Sequence, residues 1–474
     1  MKRPIVCEGF YGDEVVPLAL PEGTRILRPP PPHAPLADVE GAVRAALQAP
    51  IAHRPVRELV GRGARVAIAF DDPAVAPMTD PDFREIAIGA LLQELTEAGV
   101  RPGDIRLICA NALHRKWMRF ELARILGQGI TTFWPPHRLY CHDAEDPTEL
   151  CHLGETERGI EVEVNRAVVE ADQFFYVNLT LTPMNGGWKS IVVGLSSFRS
   201  IRHHHRPFPA TGHSIMDPKR SAFRKILWEM GDLLIARLAS EGKKPFTIEG
   251  VLNSATPPQI AAVHAGSIPE VHEKTLEFLA TQQSVPVTGQ SDALLLSLPN
   301  QDPYSQFSTI NPLLVTNLAL AYSFGLYEGV PLVREGGVLI IHHPLSDTFD
   351  DARHPAYRPF YEEILPETKD PFEIWDRYVE DYAHRPEFLH RYRYAYGFHG
   401  THPFFMWNST NFPRRHLGRI VFAAPRKPEV AQWLGFESFP SLDAALDSVA
   451  ADFGNGFSLT YHPTLPITIA RVCP

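Results

Sequence analysis

Cysteine is scarce in this chain. Five residues (Cys7, Cys109, Cys141, Cys151 and Cys473) are scattered through 474 positions with no C-x-x-C pair. An odd, sparse set argues against a disulfide framework and suits a reducing cytoplasm, which is the expected compartment. Long apolar runs are missing too: none approaches the roughly 20 residues of a membrane span. The opening MKRPIVCEGF has a basic pair but no apolar h-region and no cleavage signal. Positive charge is outweighed, 45 Lys and Arg against 55 Asp and Glu, for a net charge of −10. With no basic tract to reverse this locally, nucleic acid and anionic membranes are excluded as main partners. Internal repeats are absent, and low complexity is confined to a proline connector, Pro29 to Pro35.

Proline and histidine are plentiful, 44 and 21 residues. The prolines mark many loops, and the histidines invite a search for a metal or acid–base site. A composition 44% hydrophobic and 21% charged is ordinary for a globular protein. The length exceeds one ordinary core, so two domains are expected, residues 1–280 and 281–474.

Taken in order, the chain reads as α/β. Arg65-Val-Ala-Ile-Ala-Phe70 is a short apolar run ending in Asp71-Asp72-Pro73, as a buried parallel strand would. Phe83, Ala87, Ala90, Leu91, Leu95 and Ala98 share one helical face, and Gly99 stops that helix. Ile105 to Ala110 is the next strand. Strand, helix and strand with short joins predict a doubly wound parallel sheet. Further strands are expected at Ile160–Val164, Phe174–Asn178, Phe246–Leu252, Ala293–Ser297, Gly337–Ile341 and Gly418–Ala424. Helices are expected at Arg119–Leu126, Ala222–Leu238, Pro269–Ala280, Pro312–Leu326, Pro371–Ala383 and Ser441–Ala451. Residues 1–35 read as an N-terminal strand segment and a connector.

Four groups could carry chemistry. His114-Arg115 follows a parallel strand, where open α/β sheets hold ligands. An imidazole beside a fixed cation suits general-base work on an anion, and it equally suits capping of the next helix. Gly186-Gly187-Trp188-Lys189-Ser190 lacks the full phosphate-loop spacing. Its glycines would let backbone N–H groups approach an anion before a helix that starts after Lys189, or they form a plain turn with a surface lysine. His203-His204-His205 can offer one or two metal ligands at most, because adjacent residues diverge in regular structure. Asp71-Asp72 at a strand end could bind a sugar hydroxyl, a metal or a helix N-terminus. In the second half, His342-His343, His399 and His402 are further histidines that could line a cleft or serve as caps and packing.

Together these pieces resemble the nickel-dependent lactate racemase family. The resemblance rests on the order Asp71-Asp72, Ala98-Gly99, Ala112-Leu113-His114-Arg115, Val164 to Asp172, Gly186 to Ser190, His205, Leu252-Asn253 and Ala265-Gly266. It covers residues 60–275 well and 284–474 thinly. It implies an N-terminal and a smaller C-terminal α/β domain with the active site between them. It also implies a nickel pincer nucleotide, a pyridinium mononucleotide holding nickel through one carbon and two sulfurs. On this reading Lys189 attaches the cofactor covalently and His205 ligates nickel. Asp71, Asp72, Gly186 and Gly187 line the cofactor site. His114 is one of two acid–base histidines: histidine takes the hydroxyl proton of a 2-hydroxyacid while hydride leaves C2, and the planar 2-oxoacid takes hydride back on either face. Arg115 and Gln306 become substrate-binding candidates, and cofactor-biosynthesis proteins become partners.

Departures from the family pattern shape the expected function. The second acid–base histidine is replaced by Met184, or by Leu179 without a gap. Pro73-Ala74-Val75 stand where an arginine is expected, and Thr309 where a lysine is. Arg115, Arg199 or Arg202 are the available replacements as anion binders, and His203, His204 or His213 as the second base. The expectation is a racemase or epimerase of a 2-hydroxyacid other than simple lactate, larger in view of the aromatic stretch from Tyr394 to Phe412. The alternative is a related protein that binds cofactor or ligand without racemising.

Overall fold

Every residue of Val66–Asp71 is buried, and this strand lies at the centre of a six-stranded sheet. The computed structural model describes residues 5–208 and 213–473. From the centre the chain builds outward through Ile105–Ala110 to Leu139–Cys141. It then returns to the other side of Val66–Asp71 with Gln173–Thr180 and continues outward to Phe246–Leu252. These five strands are parallel, and Ile260–Gly266 closes the edge antiparallel. The reversal of direction falls between Val66–Asp71 and Gln173–Thr180. A crevice opens beyond the carboxyl ends of two such strands, because their connections leave in opposite directions.

The second sheet is parallel throughout, in the order Glu437–Phe439, Arg419–Ala423, Val333–His342, Ser291–Ser297, Leu459–Pro463, Arg25–Ile26. Its last strand corrects an expectation. Residues 5–26, counted on sequence with the first domain, pair and pack with the second: Leu18 and Leu20 share a core with Ala293, Leu295 and Val338. One apolar cluster also runs from Ala67 and Ile108 of the first sheet to Leu294 and Leu339 of the second. The two α/β units therefore meet over a continuous apolar contact.

Most expected elements form within two or three residues of their predicted limits, though the helix expected over Arg119–Leu126 runs on to Phe133 past a break at Gly127 and the strand expected over Gly337–Ile341 begins at Val333. Two others differ more. The helix expected after Lys189 spans Gly187–Gly194, so Lys189 is its third residue. The helix expected over Pro312–Leu326 is α-helical only over Pro312–Asn317 and widens to π geometry over Leu318–Ser323. The histidine run closes a helix, Phe198–His205.

The Gly187–Gly194 helix is wedged in place. A Cβ at Gly194 would stand 2.9 Å from Ala110, and one at Gly231 of the neighbouring helix 2.3 Å from the buried Trp188 ring. Both glycines are needed for close approach, and that approach brings Lys189 to the end of the first sheet.

Candidate active site

The acidic turn after Val66–Asp71 is held from behind. Arg84 is fully buried and pairs through two nitrogens with Asp82, at 2.8 and 2.9 Å. Its remaining nitrogen donates to the backbone oxygens of Asp71 at 3.2 Å and Asp72 at 3.3 Å. Both aspartates are completely buried. Asp71 accepts the Tyr176 hydroxyl at 2.8 Å and the Leu179 amide at 3.3 Å. Burial pushes its carboxyl up to about 6, against the pull of Lys189, Tyr176 and Arg84. Asp72 behaves oppositely. Burial alone would raise it, but His114 and the Trp117 indole bring it below the usual carboxylate range.

His114 sits in the loop after Ile105–Ala110, and its Nδ1 lies 2.9 Å from Asp72 Oδ2. A carboxylate at Nδ1 orients the ring and leaves Nε2 to exchange protons, the arrangement of a general base. The loop is clamped by the second half of the chain. His399 N–H donates to Leu113 O at 3.0 Å, and the Tyr392 hydroxyl to Ala112 O at 2.9 Å. The rings facing His114 come from that half as well: Tyr304 at 5.1 Å, His402 at 5.7 Å and Phe398 at 5.8 Å between centroids.

Gly186 and Gly187 both have positive φ, 84° and 53°. A Cβ on Gly187 would meet the His272 ring at 2.7 Å. The expectation that their amides are open to an anion needs correcting at Gly187. Its N–H is already taken by the buried Glu249 carboxylate at 2.8 Å, itself 3.4 Å from His272 Nδ1. Burial favours the neutral acid at Glu249, but His272 and the Gly187 amide hold the carboxyl below its ordinary value. Sequence reasoning missed Glu249, although a lone acid inside the apolar strand Phe246-Thr-Ile-Glu-Gly-Val-Leu252 was a usable signal.

Lys189 projects from this turn into a pocket lined by Pro183, Met184, Phe223, Leu227 and Trp228. It makes no hydrogen bond or ion pair among the described residues. Burial lowers its pKa, and the fields of Asp71 and Asp72 only partly restore it. An unpaired, partly desolvated amine is a nucleophile in waiting. His205 lies within electrostatic reach of both Lys189 and His114, and its pKa falls to about 4, chiefly through burial. Its Nδ1 is 3.2 Å from Ile201 O, and its ring stacks on Phe405. With Nδ1–H donated to a carbonyl, Nε2 keeps its lone pair, the form a metal requires. Successive residues of a helix are rotated by about 100° around its axis. Hence His204 points into the core, and both its ring nitrogens lack a partner among the described residues.

Other candidates are committed elsewhere. Arg115 is buried in a two-pronged pair with Glu121 at 2.7 and 2.9 Å, so it does not meet a substrate. Arg199 pairs with Glu161, and Arg202 with Glu380. His213 is exposed and His203 half-buried. Leu179 is a core residue of its strand, and Met184 lines the lysine pocket. Gln306 is half-buried, two residues from Tyr304, with no side-chain hydrogen bond among the described residues.

Asp302 was not anticipated. Its Oδ1 accepts the Tyr304 amide at 2.9 Å, while its buried Oδ2 has no partner among the described residues. Burial raises this carboxyl to about 7. The unfolded chain ionises near 3.9, so the native state loses stability as pH rises from about 4 to 7. Asp302→Asn is therefore expected to raise the melting temperature little at pH 4 and most above pH 7. The stabilisation there should be a few kcal/mol, and an equal shift at both ends would refute the assignment.

Residues 11–215, which contain Asp71, Asp72, His114, Lys189 and His205, match the family model of the lactate racemase N-terminal domain. The match places a lactate racemase N-terminal domain over somewhat under half of the chain. Among solved structures it resembles the lactate racemase apoprotein from Thermoanaerobacterium thermosaccharolyticum, at 18% identity and a TM-score of 0.69 over 98% of this chain and 100% of that one. A Thermotoga maritima protein is similar at 15% identity and a TM-score of 0.57, over 93% of this chain and 100% of that one. At these identities the structures bear on the fold alone. No curated protein matches the chain. No helix among the described residues is long and apolar enough to cross a membrane.

Proposed function

We propose that this chain is a member of the lactate racemase family, a nickel-dependent racemase or epimerase of a 2-hydroxyacid other than simple lactate, working in the cytoplasm. The observation that carries the reading is the convergence of Lys189, His205 and His114 at the switch point of the first sheet. Each is in the chemical state its role needs: an unpaired amine, an imidazole with Nε2 free, and an imidazole oriented by a carboxylate.

The donor set fits a nickel pincer nucleotide. Lys189 would hold it covalently and His205 would ligate the metal. Asp71 and Asp72 lie beside Lys189, and the negative field of both carboxylates bears on the amine. When bound, such a group supplies the hydride acceptor that no side chain can provide. The chain's own part is positional and protolytic. His114 Nε2 takes the substrate's hydroxyl proton, and Asp72 stabilises the imidazolium that results. Tyr304 and Phe398 exclude water from that proton. A larger substrate suits these aromatic walls.

The test uses protein produced with the cofactor-making machinery and a panel of C2-deuterated 2-hydroxyacids. Nickel content near one per chain is expected, with interconversion of the two hands and retention of deuterium, since a hydride does not exchange with water. His114→Ala should lower that rate roughly a hundred- to ten-thousand-fold. Nickel-free protein, or loss of deuterium to solvent, would count against the reading. A second reading, cofactor or ligand binding without racemisation, is favoured by the pairing of Arg115, Arg199 and Arg202 with acids. Loaded protein that interconverts nothing in the panel would support it.

A further inference from the structure

Two of the five cysteines face each other in the first sheet. Cys109 and Cys141 are directly paired in the ladder between Ile105–Ala110 and the edge strand Leu139–Cys141. Neighbouring strands run about 4.8 Å apart, inside the window of roughly 4.4–6.8 Å between Cα atoms that a disulfide spans. Both side chains lie in one apolar layer, Cys109 within the core and Cys141 packed against it. The Cys109 S–H donates to Cys141, which lowers the Cys141 pKa, and Trp117 and Lys116 add to that pull. Burial pushes the Cys109 thiol well up. Cys109 is buried and Cys141 only half-buried, so an oxidant meets Cys141 first.

A chain of hydrogen bonds leads from this pair to His114. Cys141 Sγ accepts the Trp117 amide at 3.2 Å, and its S–H donates to Trp117 O at 3.7 Å. The Trp117 indole donates to Asp72 Oδ2 at 3.3 Å, the same oxygen that lies 2.9 Å from His114 Nδ1. Forming a disulfide would remove the S–H donor. It would also draw Cys141 Sγ to within about 2.05 Å of the Cys109 sulfur. Trp117 is held to that sulfur, so its indole would shift against Asp72, and Asp72 is the group that orients His114.

We propose that Cys109 and Cys141 are a site of reversible oxidation by peroxides, and that the disulfide they form slackens the Asp72–His114 contact. The pairing stands apart from the racemase reading above; its effect on turnover rests on that reading. In the step, the Cys141 thiolate attacks the O–O bond of hydrogen peroxide. A sulfur–oxygen bond forms, and hydroxide leaves to take up the thiol proton as water. The Cys109 sulfur then attacks the Cys141 sulfur, the S–S bond forms, and the sulfenic oxygen departs with the Cys109 proton as a second water. Two thiols lose two electrons, and one peroxide is reduced to two waters. A dithiol reverses the change. In a reducing compartment such a bond is transient, which is the use made of cytosolic disulfides.

The experiment uses the full chain with Cys7→Ser, Cys151→Ser and Cys473→Ser, so that only the pair remains. After native treatment with hydrogen peroxide, removal of the peroxide with catalase and alkylation in denaturant, the intact mass should show loss of two hydrogens and no alkyl group. A peptide pair joining Cys109 to Cys141 should appear, and dithiothreitol should restore both alkylation sites. Peptide mapping of the wild type serves if the triple variant does not fold. In loaded holoprotein, oxidation should slow racemisation roughly tenfold or more through kcat, because the orienting carboxylate is part of the general base. Dithiothreitol should restore the rate, and Cys141→Ser should keep its own untreated rate after peroxide. Two alkylated thiols, or sulfinic acid at Cys141 in place of the disulfide, overturns the proposal. So does a disulfide that leaves turnover within about twofold, or an equal loss of rate in Cys141→Ser; both leave the racemase reading intact. Wild-type protein that carries nickel but racemises no acid in the panel overturns that reading instead, and with it the effect on turnover.

Discussion

Lys189→Met is expected to yield a folded protein that never acquires a covalent adduct. Intact mass of protein made with the cofactor machinery should match the unmodified sequence, and nickel should be lost with it. The physical case is that Lys189 makes no direct contact that holds the fold, only a field felt by Asp71 and Asp72. It has no partner among the described residues, and burial works against its charge. Its pocket is largely apolar, formed by Met184, Phe223, Leu227 and Trp228, with Arg224 and His272 also in the lining. Methionine keeps the stem and discards the desolvated ammonium, a gain offset by the lost attraction to Asp71 and Asp72, so the melting temperature should change little while function disappears. Residues kept at a cost to stability mark functional sites. An adduct that survives Lys189→Met, or a variant that unfolds, would remove the basis for the anchor.

Arg84→Met should have the largest effect on stability, about 3–5 kcal/mol, read from the midpoint of urea unfolding. Both partners of the Arg84–Asp82 pair are fully buried. Removing the guanidinium strands the Asp82 carboxylate, and it frees the Asp71 and Asp72 carbonyls that Arg84 holds. Lysine has no planar fork and should recover only part of the loss. Asp82 also caps the Phe83–Glu97 helix by accepting the Arg84 amide at 2.9 Å. A double Asp82→Asn, Arg84→Met variant should therefore lie closer to wild type than the sum of the two single changes. Equal additivity would mean that the pair is not the strut of the acidic turn.

Much of the fold could be read without coordinates, and the reason is periodicity. Strands such as Val66–Asp71 and Ile105–Ala110 are buried on both faces, so they appear as unbroken apolar runs between turns. The Phe83–Glu97 helix buries five of its six expected face residues, with Ala98 as its half-buried end. Strand and helix in alternation with short joins leave few arrangements, and a doubly wound sheet is one of them. The antiparallel edge Ile260–Gly266 escaped notice because Ile-Ala-Ala-Val-His-Ala-Gly lacks alternation. The pairing of Arg25–Ile26 with the second sheet escaped because two residues carry no period at all.

The site divides in the same way. Asp71, Asp72, His114 and Lys189 follow strands, and position along the chain places them at one end of the sheet. That end was determined by the sequence itself, through local patterns that need no distant partner. What stands opposite His114 was not. His402 and Asp302 come from segments with no regular period, and they reach the site only because the two α/β units pack together. Arg115 shows the converse. Adjacent to His114 in sequence, it looked available to a substrate, yet the fold turns it inward onto Glu121. Sequence neighbours share a loop but not a direction, and a buried guanidinium is claimed by whichever carboxylate tertiary packing brings within reach.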